Sequence, residues 1–246
     1  MAALGFAAGL PFPLSGFTFR LWMAENGLTV SAIGLTAYIG LAYSLKFLWS
    51  PLFDRATPGP LRRLGRRRGW LVLVQPALIA SAAVLALSEP KAAPLVAVAA
   101  AVAVAFCSAS QDILIDAWRI ETFGQREQGI ALSAYVWGYR VALLVSTSGA
   151  IAMAGRIGWH AALLAMAALL AVGLFATLAL APAESTPEAV GVRKAGWIAT
   201  VRETVFEPLR DFLTRPYAWT ILAFVALFKL GEAMAGIMTA PFYRSL

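Results

Sequence analysis

The sequence predicts an all-α, polytopic membrane protein, and three observations carry that prediction. Of the 246 residues, 60% are hydrophobic and only 13% are charged, and the mean hydropathy is +0.74. A soluble domain is about 45–50% apolar and about 25% charged. Apolar stretches recur along the chain, each long enough to reach the roughly 20 residues that cross about 30 Å of hydrocarbon. These runs are too long for membrane β-strands and lack their period-two alternation.

Taken in order, the spans are expected at 2–23, 31–53, 70–88, 93–118, 129–153, 159–181 and 217–243. The first lacks a basic leading segment, so it reads as a span and not as a cleavable signal. Its Gly5, Gly9, Pro11 and Pro13 mark possible bends, as do Gln75-Pro76 in the third. The second ends at Asp54-Arg55, and an arginine-rich loop through Gly69 leads into the third. The fourth closes at Trp118-Arg119, and His160 opens the sixth at the interface. The sixth is followed by Ala-Pro-Ala-Glu-Ser-Thr-Pro-Glu, a helix stop and linker.

The connections set the orientation. Segments 54–69, 119–128 and 182–216 hold thirteen Lys and Arg, whereas 24–30, 89–92 and 154–158 hold two. The positive-inside rule makes the first set, and with it the N-terminus, cytoplasmic. The formal charge of +7 is therefore read as topology, not as a nucleic-acid patch. In the long connection, Trp197, Val201, Val205, Leu209 and Phe212 form an apolar stripe with Arg202, Glu203, Arg210 and Asp211 off it. That suits a helix lying on the cytoplasmic leaflet, or a linker helix packed on the protein. The expected organisation is a six-helix bundle over 1–181, a cytoplasmic linker over 182–216 and one further span in 217–246.

The glycine, glycine, proline order of the first span (Gly5, Gly9, Pro11) recurs in the seventh as Gly231, Gly236 and Pro241. Parallel halves joined by a long cytoplasmic loop are one plan for transporters. On that plan the chain stops within the first helix of its second half and is expected to be a fragment.

Little soluble chain remains for a catalytic domain. Cys107 is the only cysteine and His160 the only histidine, so neither an internal disulfide nor a histidine-based metal site is expected. No nucleophile–base pair or phosphate-cradling glycine loop supports an enzyme, and no cofactor is implied. The chemistry lies in charges set within the spans, where each costs roughly 2.5–3.5 kcal/mol at the membrane centre.

The first group is Asp54, Arg55, Arg66, Arg67 and Arg68 around the second loop. It reads as a topology anchor that also attracts anionic lipid, or as a charge latch that opens and closes. Asp-Arg followed by Gly-Arg-Arg-Arg in this loop resembles the signature of major facilitator transporters. Longer words resemble the AmpG-type muropeptide permease family. They are Lys46-Phe-Leu-Trp-Ser-Pro-Leu-Phe-Asp-Arg55, Gly65-Arg-Arg-Arg-Gly-Trp70 and Phe106-Cys-Ser-Ala-Ser-Gln-Asp-Ile-Leu-Ile-Asp-Ala-Trp118. Gly9-Leu-Pro11 and Gly138-Tyr-Arg140 add to them. The resemblance runs over the whole chain. Its Gln-Asp and Asp-Ala-Trp block, which includes Gln111, is shared with related acetyl-CoA transporters. It implies a major facilitator-like six-helix bundle plus the first helix of a second bundle.

Asp112 and Asp116 are four residues apart, on one face of the fourth span. Asp112 lies about 10 Å in from the cytoplasmic end, and Lys46 about 12 Å in, at 1.5 Å per residue. The matched depth permits a contact, so these three residues are the candidates for proton coupling. A static salt bridge, or a Lys46 that reaches to the cytoplasmic surface, are the alternatives. Arg140, Lys229 and Glu232 lie deeper; with Arg20 and Lys46 they leave the interior biased toward positive charge, which suits an anionic solute. Arg140 is the leading substrate contact because its fork binds carboxylates bidentately. Tyr135 and Tyr139 share a face that suits a sugar ring or plain packing.

The residues alone support an α-helical carrier with a basic interior. The resemblance implies proton-driven import of anionic anhydro-muramyl peptides across the bacterial inner membrane by alternating access. Arg140, Tyr139, Lys229, Glu232 and Gln111 are then expected to bind substrate. The alternative is a major facilitator transporter of another organic anion such as acetyl-CoA. Protons, the small anionic solute and the bilayer are the expected partners. The missing half of the same protein, or a second copy if the chain is naturally short, is expected to complete the pathway.

Overall fold

The computed structural model describes residues 1–55, 58–180 and 206–230. The chain divides into two compact units, Met1–Val192 and Arg193–Leu246.

The first unit contains six helices long and apolar enough to cross a membrane. They are α1 (Ala2–Glu25), α2 (Ser31–Leu48), α3 (Arg66–Leu87), α4 (Pro94–Thr122), α5 (Gln128–Ile157) and α6 (Trp159–Ala179). The protein is thus a multi-pass membrane protein, with its described regular structure entirely helical. In hydrocarbon the backbone must satisfy its own hydrogen bonds, which is why long helices are the solution.

Bends fall partly where expected. α1 is built from Ala2–Gly9, Pro11–Ser15 and Phe17–Glu25. The breaks follow from Pro11 and Pro13, which lack amide donors, and from Gly16. α2 alternates short α and 3-10 turns and continues into Ser50–Arg55. α3, by contrast, runs unbroken for 22 residues through Pro76. Two π-turns, Val145–Gly149 in α5 and Ala176–Leu180 at the end of α6, have no sequence signal of their own.

α3 and α4 both exceed their expected lengths at the Arg-rich end. α3 starts at Arg66, four residues before Trp70, because Gly65 caps it at φ 89°, a conformation that favours glycine. α4 continues to Thr122, one turn past Trp118. These extra turns carry the charges described below.

α1 packs along α5, and α3 packs against both α4 and α6. The contact of α1 with α5 is backbone to backbone. A Cβ placed on Gly5 would lie 2.0 Å from the Tyr135 carbonyl oxygen, and one on Gly138 would lie 2.0 Å from that of Ala2. Lipid tails are as apolar as leucine, so such close packing, not solvent exclusion, holds spans together. The buried core centres on α1, through Leu10, Leu14, Phe19, Trp22 and Met23. At the end of the bundle away from the arginines, Trp159 Nε1 donates to Glu25 Oε2 at 2.6 Å. There too His160 Nδ1 lies 2.6 Å from the Ala86 carbonyl oxygen, and its Nε2 lies 3.3 Å from Glu89 Oε1.

The second unit shows α7 (Glu207–Thr214) and α8 (Ala218–Leu230). The apolar stripe over 197–205 and the seventh span beyond 230, including Glu232, lie outside the described residues.

Candidate functional site

Two polar clusters sit in the first unit, one at the Arg-rich end and one deeper in the bundle.

The end cluster is organised by Arg67, which is 5% exposed. Its Nη1 lies 2.7 Å from Asp54 Oδ1, and its Nη2 lies 2.7 Å from Glu121 Oε1. Nε adds a 3.1 Å bond to Glu121 Oε1. Arg66 supports both partners, donating to the Asp54 carbonyl oxygen at 2.8 Å and to Glu121 Oε1 at 3.2 Å. Arg68 donates to the Leu178 carbonyl oxygen at 3.3 Å, tying α3 to the end of α6. The cluster therefore joins the ends of α2, α3, α4 and α6. Arg55 ends the turn Ser50–Arg55.

Arginines in the first turn of a helix face the unfavourable end of its dipole. Glu121 compensates them. Sequence reasoning did not include Glu121, because α4 was expected to stop at Trp118. The signal available was its place three residues past Trp118, within one turn of the expected helix end.

The deeper cluster is built on α4. Asp112 Oδ1 is buried and has no hydrogen-bond partner among the described residues. The charges that bear on Asp112 are those of Lys46, from α2, and Asp116. Tyr43 from α2, and Tyr135 and Tyr139 from α5, also lie within its electrostatic reach. The rings of Tyr135 and Tyr139 are 6.2 Å apart between centroids. The structure thus brings Lys46, Asp112 and the two tyrosines of α5 into one neighbourhood. Asp116 is in a different setting. Its carboxylate is half-exposed and lies 3.5 Å from Arg119, one turn along the same helix. Arg119 in turn donates to Gln128 Oε1 at 3.0 Å.

Gln111 is 1% exposed and donates Nε2 to the Ala7 carbonyl oxygen at 3.1 Å, joining α4 to α1. Arg140 is exposed and sits beside Tyr139. Lys229, on α8 in the second unit, places Nζ 6.0 Å from the centre of the Phe228 ring.

A cavity of about 290 Å³ opens between α1, α2 and α5, and Arg20 lines it. From the sequence, Arg20 only adds to the positive bias of the interior.

What this arrangement can do is limited and specific. A carboxylate whose buried oxygen has no hydrogen-bond partner among the described residues, near the Lys46 ammonium, can take up or release a proton without breaking a packed ion pair. Around it stand phenolic rings able to present flat, partly polar surfaces.

Comparison with known proteins places the chain. Residues 1–246 match the Major Facilitator Superfamily. The chain is 43% identical over 240 residues to the anhydromuropeptide permease of Escherichia coli K12, covering 97% of this chain and 47% of that protein. It is 33% identical over 246 residues to the putative transporter AmpG 4 of Rickettsia felis, covering 99% and 58%. It is 31% identical over 247 residues to an uncharacterized protein of Haemophilus influenzae, covering 98% and 55%. The chain spans about half the length of the curated relatives it matches. Its full-length match, its six spans and its arginine-anchored loop agree that the chain belongs to the Major Facilitator Superfamily.

Proposed function

We propose that this chain forms the first half of a proton-driven importer of anionic cell-wall muropeptides. It would act by alternating access in the bacterial inner membrane, with its N-terminus cytoplasmic. The observation that carries the reading is Asp112 of α4, whose buried Oδ1 has no hydrogen-bond partner among the described residues and which lies near Lys46 of α2. A proton drives transport only if it binds the outward and inward states unequally. Asp112 is suited to this, since a change of helix packing alters its distance from Lys46 and from water. Asp116, beside Arg119 at the helix end, is the relay toward the cytoplasm.

Substrate contacts are assigned to Arg140, Tyr139, Lys229 and Glu232. The arginine fork takes a carboxylate, and the tyrosine takes the sugar face. Gln111 contributes by holding α4 on α1. Asp54 and Arg55 with Arg66, Arg67 and Arg68 form the conformational latch, which Glu121 completes. The name of the Escherichia coli relative supports the muropeptide class. Relatives of about twice this length support a pathway completed by a second bundle, from a longer chain or a second copy.

The test is uptake of a labelled anhydro-muramyl peptide into proteoliposomes holding the intact protein, with and without an inward proton gradient. Gradient-dependent accumulation is expected. Accumulation of acetyl-CoA in its place would move the assignment to another organic anion, and no uptake of either would end it.

A further inference from the structure

We infer that the cavity at Arg20 is a second binding subsite, for the carboxylate of a solute that also carries hydroxyl or amide hydrogens. The cavity holds about 290 Å³ and is lined from three helices. Its polar lining is Arg20, Ser15, Thr36, Tyr43 and Thr147, and the remainder is apolar. Arg20 is the only charged residue in that lining. Among the described residues its guanidinium makes no hydrogen bond and no ion pair.

The hydroxyl groups define what accompanies the anion. Ser15 Oγ donates to the Pro11 carbonyl oxygen at 3.1 Å, Thr36 Oγ1 to that of Ile33 at 2.6 Å, and Thr147 Oγ1 to that of Leu143 at 2.6 Å. Each of these three hydrogens is therefore committed to backbone, and the Tyr43 hydroxyl, 3.5 Å from Ser15 Oγ, is left to donate to that oxygen. What remains toward the cavity is mainly oxygen lone pairs, which accept. A single positive fork beside several acceptors selects a ligand with one carboxylate and nearby O–H or N–H groups. A phosphate dianion, which offers acceptors only, is disfavoured by the same set. Phe17 and Ile39 supply apolar wall for a ring face.

Size narrows this further. Pockets for whole small molecules run from about 300 to 1,000 Å³. The cavity is at the low end, so it takes one sugar-sized or amino-acid-sized part of a larger solute. Arg20, in the Phe17–Glu25 segment, lies toward the Glu25 end of α1, whereas Asp112 lies toward the Arg-rich end. The cavity also shares Tyr43 with the Asp112 neighbourhood. It thus neighbours that cluster on the Glu25 side of the bundle. As a stop on a translocation path the subsite rests on the transport reading; as a binding site it does not.

The experiment measures binding to the purified intact protein by isothermal titration calorimetry. The probes are an anhydro-muramyl peptide, the same compound with its carboxylates amidated, and inorganic phosphate as competitor. Arg20→Gln should weaken the acid by about ten-fold to a hundred-fold, the range expected for one charged hydrogen-bonding pair. The amidated compound should bind both proteins equally, and Arg20→Lys should fall between. Equal weakening of both compounds, no weakening, binding of neither compound, or displacement by phosphate at the same concentration would each overturn the subsite. Thr147→Val provides a second variant that keeps the charge; it should weaken both compounds alike, and an unchanged affinity for both counts against the hydroxyl acceptors. Proteoliposome uptake separates the two proposals. Selective loss at Arg20 without any uptake leaves the subsite and removes the transport reading. Uptake whose half-saturation is unchanged by Arg20→Gln does the reverse.

Discussion

Arg67 grips Glu121 with two nitrogens, Nε at 3.1 Å and Nη2 at 2.7 Å, while its third, Nη1, holds Asp54 at 2.7 Å. One guanidinium thus locks the ends of α2, α3 and α4. Arg67 is 5% exposed, whereas its partners are 47% and 37% exposed in their side chains. The asymmetry sets the first prediction. Arg67→Met, which keeps the stem but removes the fork, is expected to cost about 1–3 kcal/mol, the range for lost charged hydrogen bonds, because the carboxylates it leaves are partly exposed and can be hydrated. Asp54→Asn and Glu121→Gln should cost less singly and be non-additive by at least about 0.5 kcal/mol in a double-mutant cycle. Reversible unfolding in mixed micelles measures all three.

The contact of α1 with α5 gives a second prediction with an internal control. Gly138→Ala would push a methyl group into the Ala2 carbonyl oxygen, so the helices must separate. The expected cost is about 1–3 kcal/mol or more, the range for overpacking. Gly129→Ala, on the same helix with open space around it, is expected to be neutral or to stabilise by up to about 1 kcal/mol. The same unfolding experiment compares them. Equal effects would mean that the helices are not in backbone contact.

A third prediction concerns Asp112→Asn. The substitution keeps shape and removes a charge whose Oδ1 has no hydrogen-bond partner among the described residues. Folding stability should be unchanged or raised, since a charge whose buried oxygen lacks a hydrogen bond is costly. Accumulation against a gradient should be lost, while exchange of labelled for unlabelled solute persists. Accumulation equal to that of the unsubstituted protein would assign Asp112 a purely structural part.

Gln111 sits one residue away and should behave in the opposite way. Gln111→Leu strands the Ala7 carbonyl oxygen, which now receives Nε2 at 3.1 Å. A loss of about 1–3 kcal/mol is expected from one unsatisfied buried group. Thermal unfolding monitored by tryptophan fluorescence checks it. Gradient coupling in the folded fraction should survive.

The separate outcomes for Asp112 and Gln111 show how far the sequence could be read. Spacing of four put Asp112 and Asp116 on one face, and depth matched Lys46 to Asp112. Both statements follow from the helical repeat alone. That Gln111 points into α1 while Asp112 turns toward α2 and α5 depends on how α4 is rotated in the bundle. Local sequence does not encode that rotation; the packing of α4 against its neighbours sets it.

Hydropathy located the first six spans, because twenty apolar residues have few other options in a bilayer. The Arg-rich loop was legible too, as a concentration of charge. Sequence by itself determined these facts, since they rest on transfer free energies that are nearly additive along the chain. Tertiary structure decided which arginine is buried, that Glu121 is its partner 54 residues away, and that Arg20 faces a cavity. These depend on which helix ends meet and on a glycine-capped start at Arg66, and such contacts between distant segments are fixed only when the helices pack.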